Sequence, residues 1–149
     1  MGRIQTAIFW ILSCTWGIVI TIIGAIGALF FSVKGRKPHF YKGAIYFEVG
    51  GSDWGGVNFG PFFFVDTQTV PRIIMHEWGH GIQNIILGPL MPFLVAIPSC
   101  IRYWYRRILV QSEEREFADL PDYDAIWFEG WATKLGKKYY KVEDYEKSR

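Results

Sequence analysis

Residues 6–33 contain no charged side chain, and no other feature restricts the fold of this chain so strongly. Wound as one helix at about 1.5 Å per residue, they reach roughly 42 Å, more than the ~30 Å hydrocarbon core of a bilayer. The stretch therefore predicts one tilted transmembrane helix. The apolar core of a secretory signal runs only ~7–15 residues, so a cleaved signal is the poorer reading. Gly24 and Ala28 form a small-x-x-x-small pair against which another helix would pack. Before the stretch stands Arg3; after it come Lys34, Arg36, Lys37 and Lys42. That asymmetry places the remainder of the chain on the cytoplasmic side.

Composition agrees with a membrane setting, since 50% of the 149 residues are hydrophobic and 18% aromatic. The net charge of +2, with no basic stripe carrying interleaved aromatics, argues against a nucleic-acid partner. Cys14 and Cys100 lie in apolar stretches without a C-x-x-C partner, which excludes a zinc ribbon, a redox dithiol or a disulfide framework. Both read as small packing residues. As a nucleophile, Cys100 would have only His39 left to serve as its base.

Downstream, residues 35–43 read as a basic linker able to touch anionic headgroups. Residues 44–49 predict a strand, residues 50–56 a glycine-rich turn, and residues 57–65 a second extended stretch whose Pro61 suits an edge or bulge. An edge there could bind a peptide by strand addition, with Phe62, Phe63 and Phe64 as candidate substrate contacts. The competing reading is a core hairpin with no substrate role.

The motif that carries chemistry is His76-Glu77-Trp78-Gly79-His80. Residues four apart share a helix face, so the two imidazoles can close on one metal ion while Glu77 reaches a metal-bound water. Thr69 as cap, Pro71 in the first turn, and Ile73, Ile74, Ile82, Ile85 and Ile86 at helical intervals support a helix. Gly79 and Gly81 suit a close approach by another segment.

Residues 85–101 are apolar but carry Pro89, Pro92 and Pro98, which oppose a regular span. The segment is expected to lie on or dip into the cytoplasmic leaflet, or to pack under the metal helix; a second crossing would set Arg102, Arg106 and Arg107 against the charge bias. Tyr103, Trp104 and Tyr105 read as an interfacial belt. Residues 111–120 form a charged surface, Asp122 caps a last helix over residues 123–140, and the tail beyond residue 143 is charged.

A catalytic zinc site takes three protein ligands. His39 sits in the linker beside the membrane, a poor place for one. Glu129 lies in Trp127-Phe128-Glu129-Gly130-Trp131, where a bare carboxylate would be costly, and is the preferred third ligand. Asp124 and Glu116 are the alternatives.

H-E-x-x-H with a glutamate about fifty residues later on a downstream helix, and Ala132 three positions on, resembles the gluzincin class of zinc metallopeptidases. The order of elements over residues 44–140 is similar to that of its smallest members, the minigluzincins. The membrane helix and the proline-rich segment depart from that pattern. The resemblance implies His76, His80 and Glu129 as Zn2+ ligands, Glu77 as general base and acid, and Tyr123 or Tyr103 at the oxyanion. The expected fold is thus α+β: a transmembrane anchor over residues 1–34, the linker, and a zincin-like domain over residues 44–142 with a short antiparallel sheet. The expected function is a membrane-anchored, cytoplasm-facing peptidase acting on a peptide or protein. The alternatives are a non-catalytic zinc-binding scaffold and an intramembrane protease. Arg72, Gln83 and Asn84 beside the motif argue for a wetter place than the bilayer interior.

Overall fold

The computed structural model describes residues 1–51, 54–112 and 116–139. Its main elements are helices α1 (Arg3–Cys14) and α2 (Ile18–Val33), strands β1 (Pro38–Tyr41), β2 (Ala44–Glu48), β3 (Gly56–Phe59) and β4 (Phe62–Val65), then helices α3 (Pro71–Leu87), α4 (Ile97–Ser112) and α5 (Trp127–Tyr139). The architecture is α+β around one small sheet of order β1-β2-β4-β3. Hairpins β1/β2 and β3/β4 are antiparallel, but β2 and β4 pair in parallel, so the sheet is mixed rather than wholly antiparallel.

Two sequence expectations shift here. The basic linker supplies strand β1, and residues 57–65 form a hairpin rather than one strand. Its turn holds Gly60, at φ 73°, and Pro61, where a missing N–H breaks no ladder bond.

Alternation along the central strands explains why helices cover both faces of the sheet. Tyr46, Phe63 and Val65 meet Phe9 of α1 and Ile74 and Trp78 of α3; Phe47 and Phe64 meet Ala28 of α2. A strand buried on both faces reads as an unbroken apolar run, which accounts for Phe62-Phe63-Phe64. Phe63 and Phe64 are therefore core residues, not substrate contacts, and Phe62 stacks edge-on against Trp10. The small-residue face of α2 likewise serves its own sheet, with Gly24 against Phe59 and Phe62.

Residues 6–33 do not form one helix. Among the described residues no one helix is long and apolar enough to cross a membrane; α1 and α2 meet at an angle of 101°. A charge-free run does not distinguish one long helix from two short ones. What decides is where the carbonyls at a break find donors. Here Thr21 Oγ1 donates to the Ser13 and Gly17 carbonyls at 2.8 and 3.0 Å, and Asn84 Nδ2 of α3 donates to Gly17 at 3.3 Å. A Cβ on Gly17 would overlap the Asn84 amide. The elbow is thus stitched to the metal-motif helix.

After α3 the chain stays helical through a 3₁₀ turn (Gly88–Leu90) and a π-helical turn (Pro92–Ala96) into α4, with a bend of 118° between residues 71–90 and 92–112. Met91 and Val95 pack with Ile20 and Phe128, so this segment lies under α2 and α5. Pro89, Pro92 and Pro98 stand at the starts of successive helical pieces, where proline is tolerated.

The capping expectations fail. Val70, not Thr69, is the N-cap residue of α3, and Asp122 makes no capping bond. A 3₁₀ turn (Tyr123–Ala125) precedes α5, which starts only at Trp127. Cys14 and Cys100 are free and exposed rather than packed. Gln83 and Asn84 are fully buried in internal hydrogen bonds, so they do not mark a wet surface. Glu116 and Asp119 are exposed as expected. Ser52, Asp53, Glu113, Glu114, Arg115 and the charged tail lie outside the described residues.

Candidate metal centre

Helices α3 and α5 approach closely because each presents glycine at the contact. A Cβ on Gly79 would overlap the Ala132 carbonyl, and one on Gly136 would overlap the Met75 carbonyl. This proximity sets His76 and His80 of α3 opposite Glu129 of α5. His76 Nε2, His80 Nε2 and Glu129 Oε2 form a triangle with three edges of 3.1 Å. Glu129 is fully buried and the imidazoles nearly so.

The outer atoms of the ligands are held too. His76 Nδ1 lies 2.8 Å from Thr133 Oγ1, and His80 Nδ1 lies 2.7 Å from Gln83 Oε1. Ser99 Oγ donates to Glu129 Oε1 at 2.5 Å, leaving Oε2 to face the imidazoles. Three inward-pointing donor atoms at this spacing call for a positive charge between them, a proton or a metal ion.

The electrostatics agree. Burial alone would raise the Glu129 carboxyl, but hydrogen bonds from His76, His80 and Ser99 outweigh it and hold the group well below the usual carboxylate range. Burial would lower the His80 imidazole, yet the Glu129 bond and the Glu77 charge raise it. Glu77, buried, is pushed up chiefly by desolvation, against the pull of both histidines.

Glu77 sits beneath β3. A Cβ on Gly56 would come 2.7 Å from Glu77 Oε1, so a side chain there would displace the Glu77 carboxylate. Asn58 Nδ2 donates to the Glu77 carbonyl at 2.8 Å and ties the strand to the motif. β3 is an edge strand, and its residues, not Phe62–Phe64, line a cavity of about 1010 Å³ that opens over the histidines and Glu129. Met91, Val95, Tyr103 and Trp104 also line it.

Tyr123 is in this cavity, its ring 6.3 Å from that of His76 and its hydroxyl 3.4 Å from Ser99 Oγ. Burial raises its phenol, which stays a hydrogen-bond donor. Arg102 donates to the Asp122 and Tyr123 carbonyls and Arg106 to that of Pro121, while both guanidinium groups lie over the tyrosine ring. Those contacts strap the loop before α5 onto α4. Tyr103 also lines the cavity, edge-on to Trp104 and under Arg107.

His76, His80 and Glu129 are therefore brought together, and Glu77, Tyr123 and Tyr103 line the same cavity. The alternative ligands are not in the His76-His80-Glu129 group: Asp124 pairs with Arg72 at 3.4 Å, Glu116 is exposed, and His39 stacks on Tyr46. Sequence reasoning gives Ser99 and Gln83 no place in the site. Gln83 stands three residues after His80, a helical spacing that could have flagged it; Ser99 carries no such signal.

Fold and site together define an α+β protein with a buried His76-His80-Glu129 group that could hold a metal ion. No protein-family model matches the chain, and neither a curated protein nor a solved structure does.

Proposed function

We propose that this chain is a zinc-dependent metallopeptidase of the gluzincin type that hydrolyses a peptide or protein substrate while held at a lipid bilayer. The observation that carries the reading is the triangle of His76, His80 and Glu129 with Glu77 beside it. Tetrahedral zinc, with bonds of about 2.0–2.1 Å, separates its ligand atoms by roughly 3.3 Å, close to the 3.1 Å edges seen here. Bound at those residues, the ion supplies Lewis acidity and a water acidified toward pKa ~7.

The chain's own residues do the rest. His76, His80 and Glu129 hold the ion; Glu77 takes the proton of the attacking water and returns it to the leaving amine. The Tyr123 hydroxyl offers a hydrogen bond to the oxygen that gains charge. The β3 edge offers main-chain groups to an extended substrate above Glu77. A purely structural zinc site is normally closed by four ligands, whereas three side chains converge among the described residues.

Bilayer contact is supported by what α2 and the residues 86–108 leave outside. Ile22, Ile26, Leu29, Val33, Phe93 and Ile101 are all exposed, Val33 to 80%. Patches of that kind on a single chain mark an interaction surface. Residues 1–47 and 78–112 also carry no Asp or Glu while holding eight Lys and Arg, which suits anionic headgroups.

The test is a pair of variants. Glu77→Gln should keep zinc but lose at least ~10²-fold in casein hydrolysis, and His76→Ala should lose the metal. Hydrolysis by Glu77→Gln equal to wild type would end the mechanism.

A further inference from the structure

Gln83 is wholly buried, between the two helices that bear the three ligands. Its Nε2 donates to the Phe128 carbonyl at 2.7 Å, and its Oε1 faces His80 Nδ1 at 2.7 Å. The polarity of this chain of bonds has only one solution. A backbone carbonyl can only accept, so the amide NH₂ must face Phe128 and the amide oxygen must face His80. That oxygen cannot donate, so the hydrogen in the second bond belongs to His80 Nδ1. The Nε2 lone pair is thereby aimed at Glu129 and His76, where a metal ligand needs it.

His76 has no equivalent constraint. Its Nδ1 faces the Thr133 hydroxyl, which can donate or accept. Nor is the amide replaceable by water, because Gln83 has no exposed surface. The Phe128 carbonyl it grips belongs to the residue immediately before Glu129. One amide thus orients a ligand ring on α3 and holds the first turn of α5, which carries the carboxylate.

We propose that Gln83 is a positioning residue for the metal centre: it fixes His80 in the Nδ1–H form and latches the start of α5, so that Nε2 and the Glu129 carboxylate face the same point. This rests on the metal reading of the site, but the two fail separately. The Nδ1–H of His80 is observable without any metal, because the imidazolium carries it as well as the neutral ring.

The experiment compares wild type, Gln83→Met and Gln83→Glu in two readouts: the ¹⁵N-bound Nδ1 proton of His80 in metal-free protein, and zinc affinity by chelator competition. Wild type is expected to show a solvent-protected Nδ1 proton. Gln83→Met, which keeps the volume and removes both hydrogen bonds, is expected to lose that protection and bind zinc ~10–100-fold more weakly. Gln83→Glu keeps the acceptor and loses the donor to Phe128. It is expected to retain the proton signal with a smaller loss of affinity, and it carries the test if the Met variant does not fold. A folded Gln83→Met that keeps the protected proton and binds zinc within twofold of wild type would overturn the proposal, as would a folded Gln83→Glu without the proton. Failure of wild type to bind zinc, with the proton present and dependent on Gln83, would leave the Gln83-fixed Nδ1–H of His80 standing and remove both its role toward a metal and the function proposed above.

Discussion

Each ligand at the centre is held by a second side chain, and one of those supports can be removed without disturbing the core. Ser99 Oγ occupies Glu129 Oε1, so the carboxylate presents a single oxygen to the imidazoles. Ser99→Ala frees Oε1, and the carboxylate gains a rotation it lacks in the wild type. Zinc affinity in a chelator competition should fall about 10-fold. Ser99→Thr, which retains the hydroxyl, should stay near wild type; equal loss in both variants would mean that the hydroxyl is not what matters. At this scale the sequence is most informative, because ligand chemistry is tied to residue type. Two histidines four apart around a glutamate have few other uses, and Glu129 is costly in an apolar stretch unless something neutralises it. Ser99 is not legible, since a serine reaches across 30 positions only once α4 and α5 are folded together.

The elements are legible only in part, and the misses share a cause. Periodicity shows α3 and the β-rich stretch, but it cannot show how a uniform apolar run divides. The bend at Thr15–Gly17 is bonded by Asn84, 67 residues further on, and the Phe62–Val65 strand, buried from Phe63 to Val65, has no polar alternation to betray its neighbours. The caps fail because neither Thr69 nor Asp122 places a side-chain bond on the helix that follows it: α3 is capped at Val70, and Asp122 precedes a 3₁₀ turn rather than α5. Two predictions belong here. Gly79→Ala drives a methyl into the Ala132 carbonyl, so α3 and α5 must separate. We expect a loss of about 1–3 kcal/mol in chemical denaturation together with weaker zinc binding. Asn84→Ala removes the donor to the Gly17 carbonyl at the elbow and should lower stability by about 1–3 kcal/mol while leaving one zinc per chain. An unchanged denaturation midpoint in Asn84→Ala would show that the elbow stands without it.

For the molecule as a whole, the bent helices leave apolar side chains exposed on the same body that carries the His76-His80-Glu129 group. The expected consequence is that the purified protein floats with phosphatidylcholine–phosphatidylglycerol vesicles. Replacing Ile22 and Ile26 together by Glu should weaken that association at least 10-fold without altering metal content; a protein that stays in the aqueous fraction would remove the bilayer from the account. Met91, Val95 and Trp104 line the cavity and belong to the same bent segment whose Phe93 and Ile101 are exposed. The proposed function turns on zinc at the buried triangle. The most direct measurement is X-ray absorption spectroscopy on zinc-loaded wild type and on Glu129→Ala. The account predicts one zinc per chain bound by two imidazole nitrogens and light oxygen ligands at about 2.0–2.1 Å, with zinc bound at least 10-fold more weakly by the variant. A wild-type protein that takes up no zinc, or a variant whose affinity and coordination match wild type, would contradict it.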